Sequence, residues 1–198
     1  MKSFRPIFLI GYMACGKTTL GRAIRDAMPS WIYFVDLDEA VEERAGMSVK
    51  EIFATRGEEV FRRMESDEIR HICTISSGVG GRMIVACGGG TPCRKENLDL
   101  MRERGTVIWL KANEERTLSR LIEFQDSRPL LAGMDADTLK DFVARNLAER
   151  TPYYSCAHAV FDSSYLDTPD EIARTVKRFT DEFLSLPKNT QPWNHPLR

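Results

Sequence analysis

Gly11-Tyr12-Met13-Ala14-Cys15-Gly16-Lys17-Thr18 spells G-x-x-x-x-G-K-T, and its flanks decide what it means. The apolar run Ile7-Phe8-Leu9-Ile10 before it reads as a buried strand. Leu20, Ala23, Ile24 and Ala27 after it recur at helical spacing. Strand, glycine loop and helix together form the setting in which main-chain N–H groups wrap a di- or triphosphate at a helix N-terminus. There the helix dipole favours negative charge. In that setting Lys17 meets the β- and γ-phosphates and the Thr18 hydroxyl holds Mg²⁺. Gly11, Ala14, Cys15, Gly16 and Thr19 complete the expected nucleotide-binding loop.

Outward from the loop, strand-like and helix-like segments alternate, which predicts an α/β layer fold with a mostly parallel sheet. The expected strands are Ile7–Ile10, Ile32–Val35, Met83–Ala86, Val107–Leu110 and Ala159–Phe161. Several are continuously apolar, as strands covered on both faces are. Ser48-x-x-Glu51 is a capping box, and Thr168-Pro169-Asp170-Glu171 combines an N-cap, Pro at the first helical position and an acidic first turn. Asn113 is placed to cap a helix carrying Leu118, Leu121 and Ile122, and 58–73 has amphipathic periodicity. Residues 125–137 lack periodicity and read as a mobile loop. Residues 187–198 hold three prolines and read as a flexible tail behind a single domain, 1–186.

Composition narrows the class. The chain has 198 residues, 42% apolar and 29% charged, with a formal net charge of −1. That is a globular balance without the basic excess that non-specific nucleic-acid binding needs. No apolar stretch approaches membrane-spanning length, and the start lacks the pattern of a signal peptide. Five cysteines without a C-x-x-C pair disfavour a disulfide framework or a zinc site, and the expected compartment is the reducing cytoplasm.

Three further clusters carry chemistry. Asp36 and Asp38 follow a strand, at the sheet edge where open α/β folds bind ligands. Alternation turns both the same way, so one could support Mg²⁺ while the other accepts a hydroxyl proton. The alternative makes Asp38 the N-cap of a helix over Ala40–Arg44. Gly88-Gly89-Gly90 exceeds what a tight turn requires and suggests something close against the main chain. Arg62-Arg63, Arg128 and Arg150 can fork carboxylate or phosphate, and Arg128, in the mobile loop, is the best placed of them.

These segments together resemble shikimate kinases from about Phe8 to Phe183: GYMACGKTTLGR, FVDLDEAVEERAGMSVKEIFATRGEEVFRRME, IVACGGG, SRPLL and ERTPYY agree in order and spacing. The resemblance implies a three-layer α/β fold with a five-stranded parallel sheet of order 2-3-1-4-5, of the P-loop kinase type, with a mobile lid and a substrate-binding helical segment at about 38–75. It implies an ATP- and Mg²⁺-dependent enzyme acting on the 3-hydroxyl of shikimate in aromatic amino acid biosynthesis, as a monomer without nucleic-acid or membrane partners. By analogy Asp38, Arg62, Gly88, Gly89, Gly90 and Arg150 bind shikimate. Lys17, Asp38 and Arg128 are catalytic, Arg120 and Arg128 join the loop in binding ATP, and Thr18 with Asp36 serves the metal. Residues 162–169 resemble the adenine-side loop.

The chain departs from the family where Ala14-Cys15 replaces the usual Gly-Ser and Cys87 a frequent Thr. If position 14 needs φ > 0, Ala is strained there. Cys15, ahead of a helix N-terminus and Lys17, has a setting that lowers a thiol pKa; the alternative reads Cys15 and Cys87 as small buried residues. Rival readings are a gluconate or nucleotide kinase, and an ATP-binding module without turnover.

Overall fold

Ile7–Ile10 form strand β1, and all four are buried because helices cover both faces. Phe8 and Ile10 point to one side of the sheet, Ile7 and Leu9 to the other. The computed structural model describes residues 4–123, 131 and 133–184. Beside β1 stand β2 (Ile32–Asp36), β3 (Arg82–Ala86), β4 (Thr106–Lys111) and β5 (Ala159–Asp162). All neighbouring pairs are parallel and the order is β2-β3-β1-β4-β5. Every expected strand is present, within a residue at each end.

Among the described residues eight α-helices follow: α1 (Lys17–Ala27), α2 (Leu37–Ala45), α3 (Val49–Arg56), α4 (Glu58–Ile75), α5 (Lys95–Arg104), α6 (Glu114–Glu123), α7 (Ala136–Tyr154) and α8 (Pro169–Phe183). On one face, Leu20 and Ile24 of α1 and Val176 and Phe179 of α8 pack on Ile7, Leu9 and Ile108. On the other, Ile69 and Ile72 of α4, Met101 of α5 and Val143 of α7 pack on Phe8, Val85 and Trp109. A satellite core of Val41, Ile52 and Phe61 ties α2, α3 and α4 together. No helix among the described residues is long and apolar enough to cross a membrane.

The caps fall where local chemistry put them. Ser48 and Glu51 form a complete capping box on α3, and Thr168 and Glu171 form another on α8. Asn113 Oδ1 accepts from the Arg116 N–H at 2.8 Å. Cys15 and Cys87 are buried, matching the small-residue reading. Burial pushes the Cys87 thiol well above its ordinary pKa.

Two expectations change. Asp36, not Asp38, is the N-cap of α2: its Oδ1 accepts from the Asp38 N–H at 3.1 Å, and the helix begins directly after β2. Asp38 is therefore a first-turn helical residue, and strand alternation does not relate the two acids. Helix α7 starts at Ala136, capped by Asp135, so the last residues of the expected lid are helical. Leu131, inside the same segment, is buried in the core. Arg128 and the 187–198 tail lie outside the described residues.

Replacing Thr168 by Ala removes the α8 cap, and urea unfolding should read a loss of about 1 kcal/mol. A midpoint unchanged within error would show that α8 is held by packing alone.

Candidate active site

The strand order places the ends of β2, β3 and β1 side by side, and the loops leaving them build one cleft. The loop after β1 turns through three residues with positive φ, Gly11 (143°), Ala14 (60°) and Gly16 (92°), the last being the N-cap of α1. Ala14 is the sole non-glycine with positive φ among the described residues, so the strain anticipated from sequence is real and costs roughly 1–2 kcal/mol. Lys17 Nζ donates to the carbonyls of Gly11 and Tyr12, both at 2.9 Å, and lies 3.7 Å from Cys15 Sγ. The loop is thus curled around its own ammonium group.

Thr18 Oγ1 donates to Asp36 Oδ2 at 2.7 Å. Two hard oxygen donors at the foot of a phosphate loop suit Mg²⁺, which takes one or two protein oxygens and fills its octahedron with phosphate and water. No cluster of three or more His, Cys, Asp or Glu that could hold a metal occurs among the described residues. The residues present fit the ion.

Asp38 and Thr19 line the same cavity of about 490 Å³ as Lys17, Thr18, Asp36 and Gly89. Asp38 Oδ1 is buried and meets no hydrogen-bond donor among the described residues. Its carboxyl is pushed up to about 6, chiefly by burial, then by Glu65 and Asp36; Lys17 and Arg62 oppose the shift. A buried carboxylate oxygen without a donor is costly to keep unless something arrives to share a proton with it.

Gly88-Gly89-Gly90 leaves β3, and each glycine makes room for a polar group. A Cβ on Gly88 would stand 3.0 Å from Glu65 Oε1 and 3.2 Å from Asp38 Oδ1. One on Gly89 would stand 3.0 Å from Arg150 Nη1, and one on Gly90 3.1 Å from Arg62 Nη2. Close approach to the main chain, inferred from the glycine count, is what the turn provides. Arg62, Arg150 and Gly90 line a second hollow just beyond the turn, with Cys93 and Arg94 on its wall. Asp38 and the arginine pair therefore both gather at the glycine turn.

Arg62 is held by Glu65 (2.7 Å) and Glu58 (3.0 Å) on its own helix. Glu65 is fully buried and also accepts from Thr91 Oγ1. Sequence reading missed Glu65. The available signal was its position three residues after Arg62 on a helix, where side chains meet. Arg120 is nearly buried and lines the nucleotide-side cavity. It donates to Asp167 Oδ1 (2.6 Å) and to the carbonyls of Ser164 (2.8 Å) and Ala14 (3.2 Å). Its guanidinium thus straps the loop after β5 to the strained phosphate loop.

The chain matches the family model described as shikimate kinase over residues 13–181. A shikimate kinase of Parabacteroides distasonis is 34% identical over 168 residues, covering 85% of this chain and 93% of that protein. The crystal structure of shikimate kinase from Bacteroides thetaiotaomicron superposes with a TM-score of 0.81 at 34% identity, covering 92% of this chain and 99% of that one. A shikimate kinase from Acinetobacter baumannii, crystallised with shikimate, gives 0.72 at 25% identity, covering 91% and 93%.

The raised pKa of Asp38 has a thermodynamic consequence. The folded form binds its proton up to about pH 6, the unfolded form only to about 3.8, so folding stability declines as pH rises between those values and stays reduced above them. Asp38→Asn should therefore stabilise the protein by about 3 kcal/mol at pH 7.5 and by almost nothing near pH 3.8. Denaturant melts at several pH values measure this, and a gain that does not vary with pH would contradict it.

Proposed function

The chain belongs to the shikimate kinase family, and from that premise we propose how its cleft divides the labour of the reaction. The protein is an ATP-dependent kinase that transfers the γ-phosphoryl group to the 3-hydroxyl of shikimate, with Mg²⁺ as cofactor. The observation that carries the residue assignment is the buried, unpartnered Asp38 oxygen standing between a phosphate loop and a pair of arginines.

In this reading the Arg62 and Arg150 guanidiniums fork the shikimate carboxylate, because arginine presents paired donors in the geometry a carboxylate accepts. Gly88, Gly89 and Gly90 let the ring lie against main chain. Asp38 accepts the hydrogen bond of the 3-hydroxyl and takes its proton as the oxygen attacks phosphorus. A carboxyl near 6 is close enough to working pH to be ionised before the reaction and basic enough to hold a proton during it.

On the other side, Lys17 exchanges the Gly11 and Tyr12 carbonyls for phosphate oxygens. Thr18 and Asp36 would hold Mg²⁺, which neutralises phosphate charge when bound. Arg120 lines the nucleotide side of the cavity. Arg128, assigned by family resemblance, meets the transferring phosphoryl group from the lid, an interaction that is worth about 10³–10⁵ in rate where it is made. Phosphoryl transfer asks for alignment and charge stabilisation, and these residues supply both.

A coupled ADP-release assay with Mg²⁺-ATP tests the activity: turnover should require shikimate, while gluconate and nucleoside monophosphates stay inert. Turnover with gluconate alone would reverse the assignment. In the same assay kcat/KM for shikimate should fall about tenfold per pH unit below about 6, since protonated Asp38 cannot act as base. Asp38→Asn should remove that limb and lower kcat about 10²–10⁴-fold. An acid limb that survives in Asp38→Asn would assign the titration to another group.

A further inference from the structure

Tyr154 has no task in the division of labour above, yet it heads the fully buried side chains by volume. Its ring packs on Trp109, with centroids 5.7 Å apart, a role phenylalanine would fill equally well. The hydroxyl is what needs explaining, because a buried hydroxyl is costly without partners. It donates to the Gly89 carbonyl at 2.7 Å. Burial pushes the phenol well above its ordinary pKa, so it remains a donor throughout the working range. The charge of the Arg150 guanidinium beside the same hydroxyl opposes that shift.

The hydroxyl therefore stands beside two groups assigned to the substrate, the Arg150 guanidinium and the Gly89 carbonyl to which it donates. The covalent framework makes this specific. Arg150 and Tyr154 are four residues apart on α7, one above the other on the same helical face. Between them Pro152 removes one donor from the helical hydrogen-bond ladder. Across the gap Gly89 leaves only 3.0 Å between a would-be Cβ and Arg150 Nη1, and 3.7 Å to the Tyr154 hydroxyl. The far side of Arg150 is bounded by the Tyr12 ring, 5.6 Å from its guanidinium carbon.

We propose that Tyr154 is a positioning residue for the acid-binding half of the site: its hydroxyl sets the direction of the Arg150 guanidinium and the orientation of the Gly89 peptide before substrate arrives. A free arginine has many rotamers to lose, and fixing it in advance lowers the entropic cost of each binding event. The inference rests on the reading that Arg150 and Gly89 contact shikimate.

Steady-state kinetics and thermal melts of Tyr154→Phe, Arg150→Lys and the double variant separate the two ideas. Tyr154→Phe should raise KM for shikimate about tenfold, leave KM for ATP unchanged and keep a cooperative melt. Arg150→Lys should also raise KM for shikimate, and the double variant should fall short of the product of the single effects, because the two groups act as one unit. If Arg150→Lys raises KM for shikimate and Tyr154→Phe does not, the positioning role is lost while the binding assignment stands. If Arg150→Lys leaves that KM untouched, the binding assignment falls and takes the inference with it. A Tyr154→Phe protein that raises both KM values alike, or loses its cooperative melt, would make the hydroxyl a structural group and overturn the proposal.

Discussion

Three consecutive glycines leaving β3 set the spacing of the whole cleft. In the order β2-β3-β1 this strand lies between the one that delivers Asp36 and the one that delivers the phosphate loop. Any side chain on its exit would stand between the acids, the arginines and the nucleotide loop. Each missing Cβ is instead matched to a partner: Glu65 and Asp38 at Gly88, Arg150 at Gly89, Arg62 at Gly90. Backbone entropy is given up for proximity, a trade that makes sense only where polar groups must converge within a few ångströms.

Convergence creates an electrostatic problem. Asp36, Asp38 and Glu65 are three acids in one region, and each is treated differently. Asp36 is satisfied twice, by Thr18 and by the Asp38 N–H. Glu65 is enclosed but accepts from Arg62 and Thr91. Asp38 alone keeps a buried oxygen without a donor, and burial with its two acidic neighbours lifts its pKa. The most destabilised of the three is the one facing the space between the two halves of the cleft, as expected where stability is surrendered for chemistry.

The phosphate loop shows the same tension in its backbone. Ala14 occupies a left-handed conformation in a place where the family usually has glycine. The strain persists because the surroundings over-determine the loop. Lys17 holds the carbonyls of Gly11 and Tyr12 from inside, and Arg120 holds the carbonyl of Ala14 from outside. Arg120 in turn is anchored by Asp167, so the loop after β5 helps maintain the geometry of the loop after β1.

The chain's local chemistry already contained the five strands, the capping boxes at Ser48 and Thr168, the phosphate loop and the strain at Ala14. These follow from short-range effects: apolar runs, hydrogen bonds between residues three apart, and φ preferences. Helix α7 escaped because Pro152 argues against a helix locally, whereas burial of Leu139, Val143 and Tyr154 outweighs that penalty in the fold. The pairing of Asp36 and Asp38 was legible, but its cause was not: the helix begins at Leu37, so capping rather than strand alternation arranges them. Glu65 against Gly88 and Tyr154 against Gly89 join residues 23 and 65 positions apart. Residue type and order determined which reaction the chain supports. Tertiary structure alone decided which side chains meet across the glycine turn and how far Asp38 is lifted toward neutrality, because burial and through-space charge depend on neighbours that no local stretch contains.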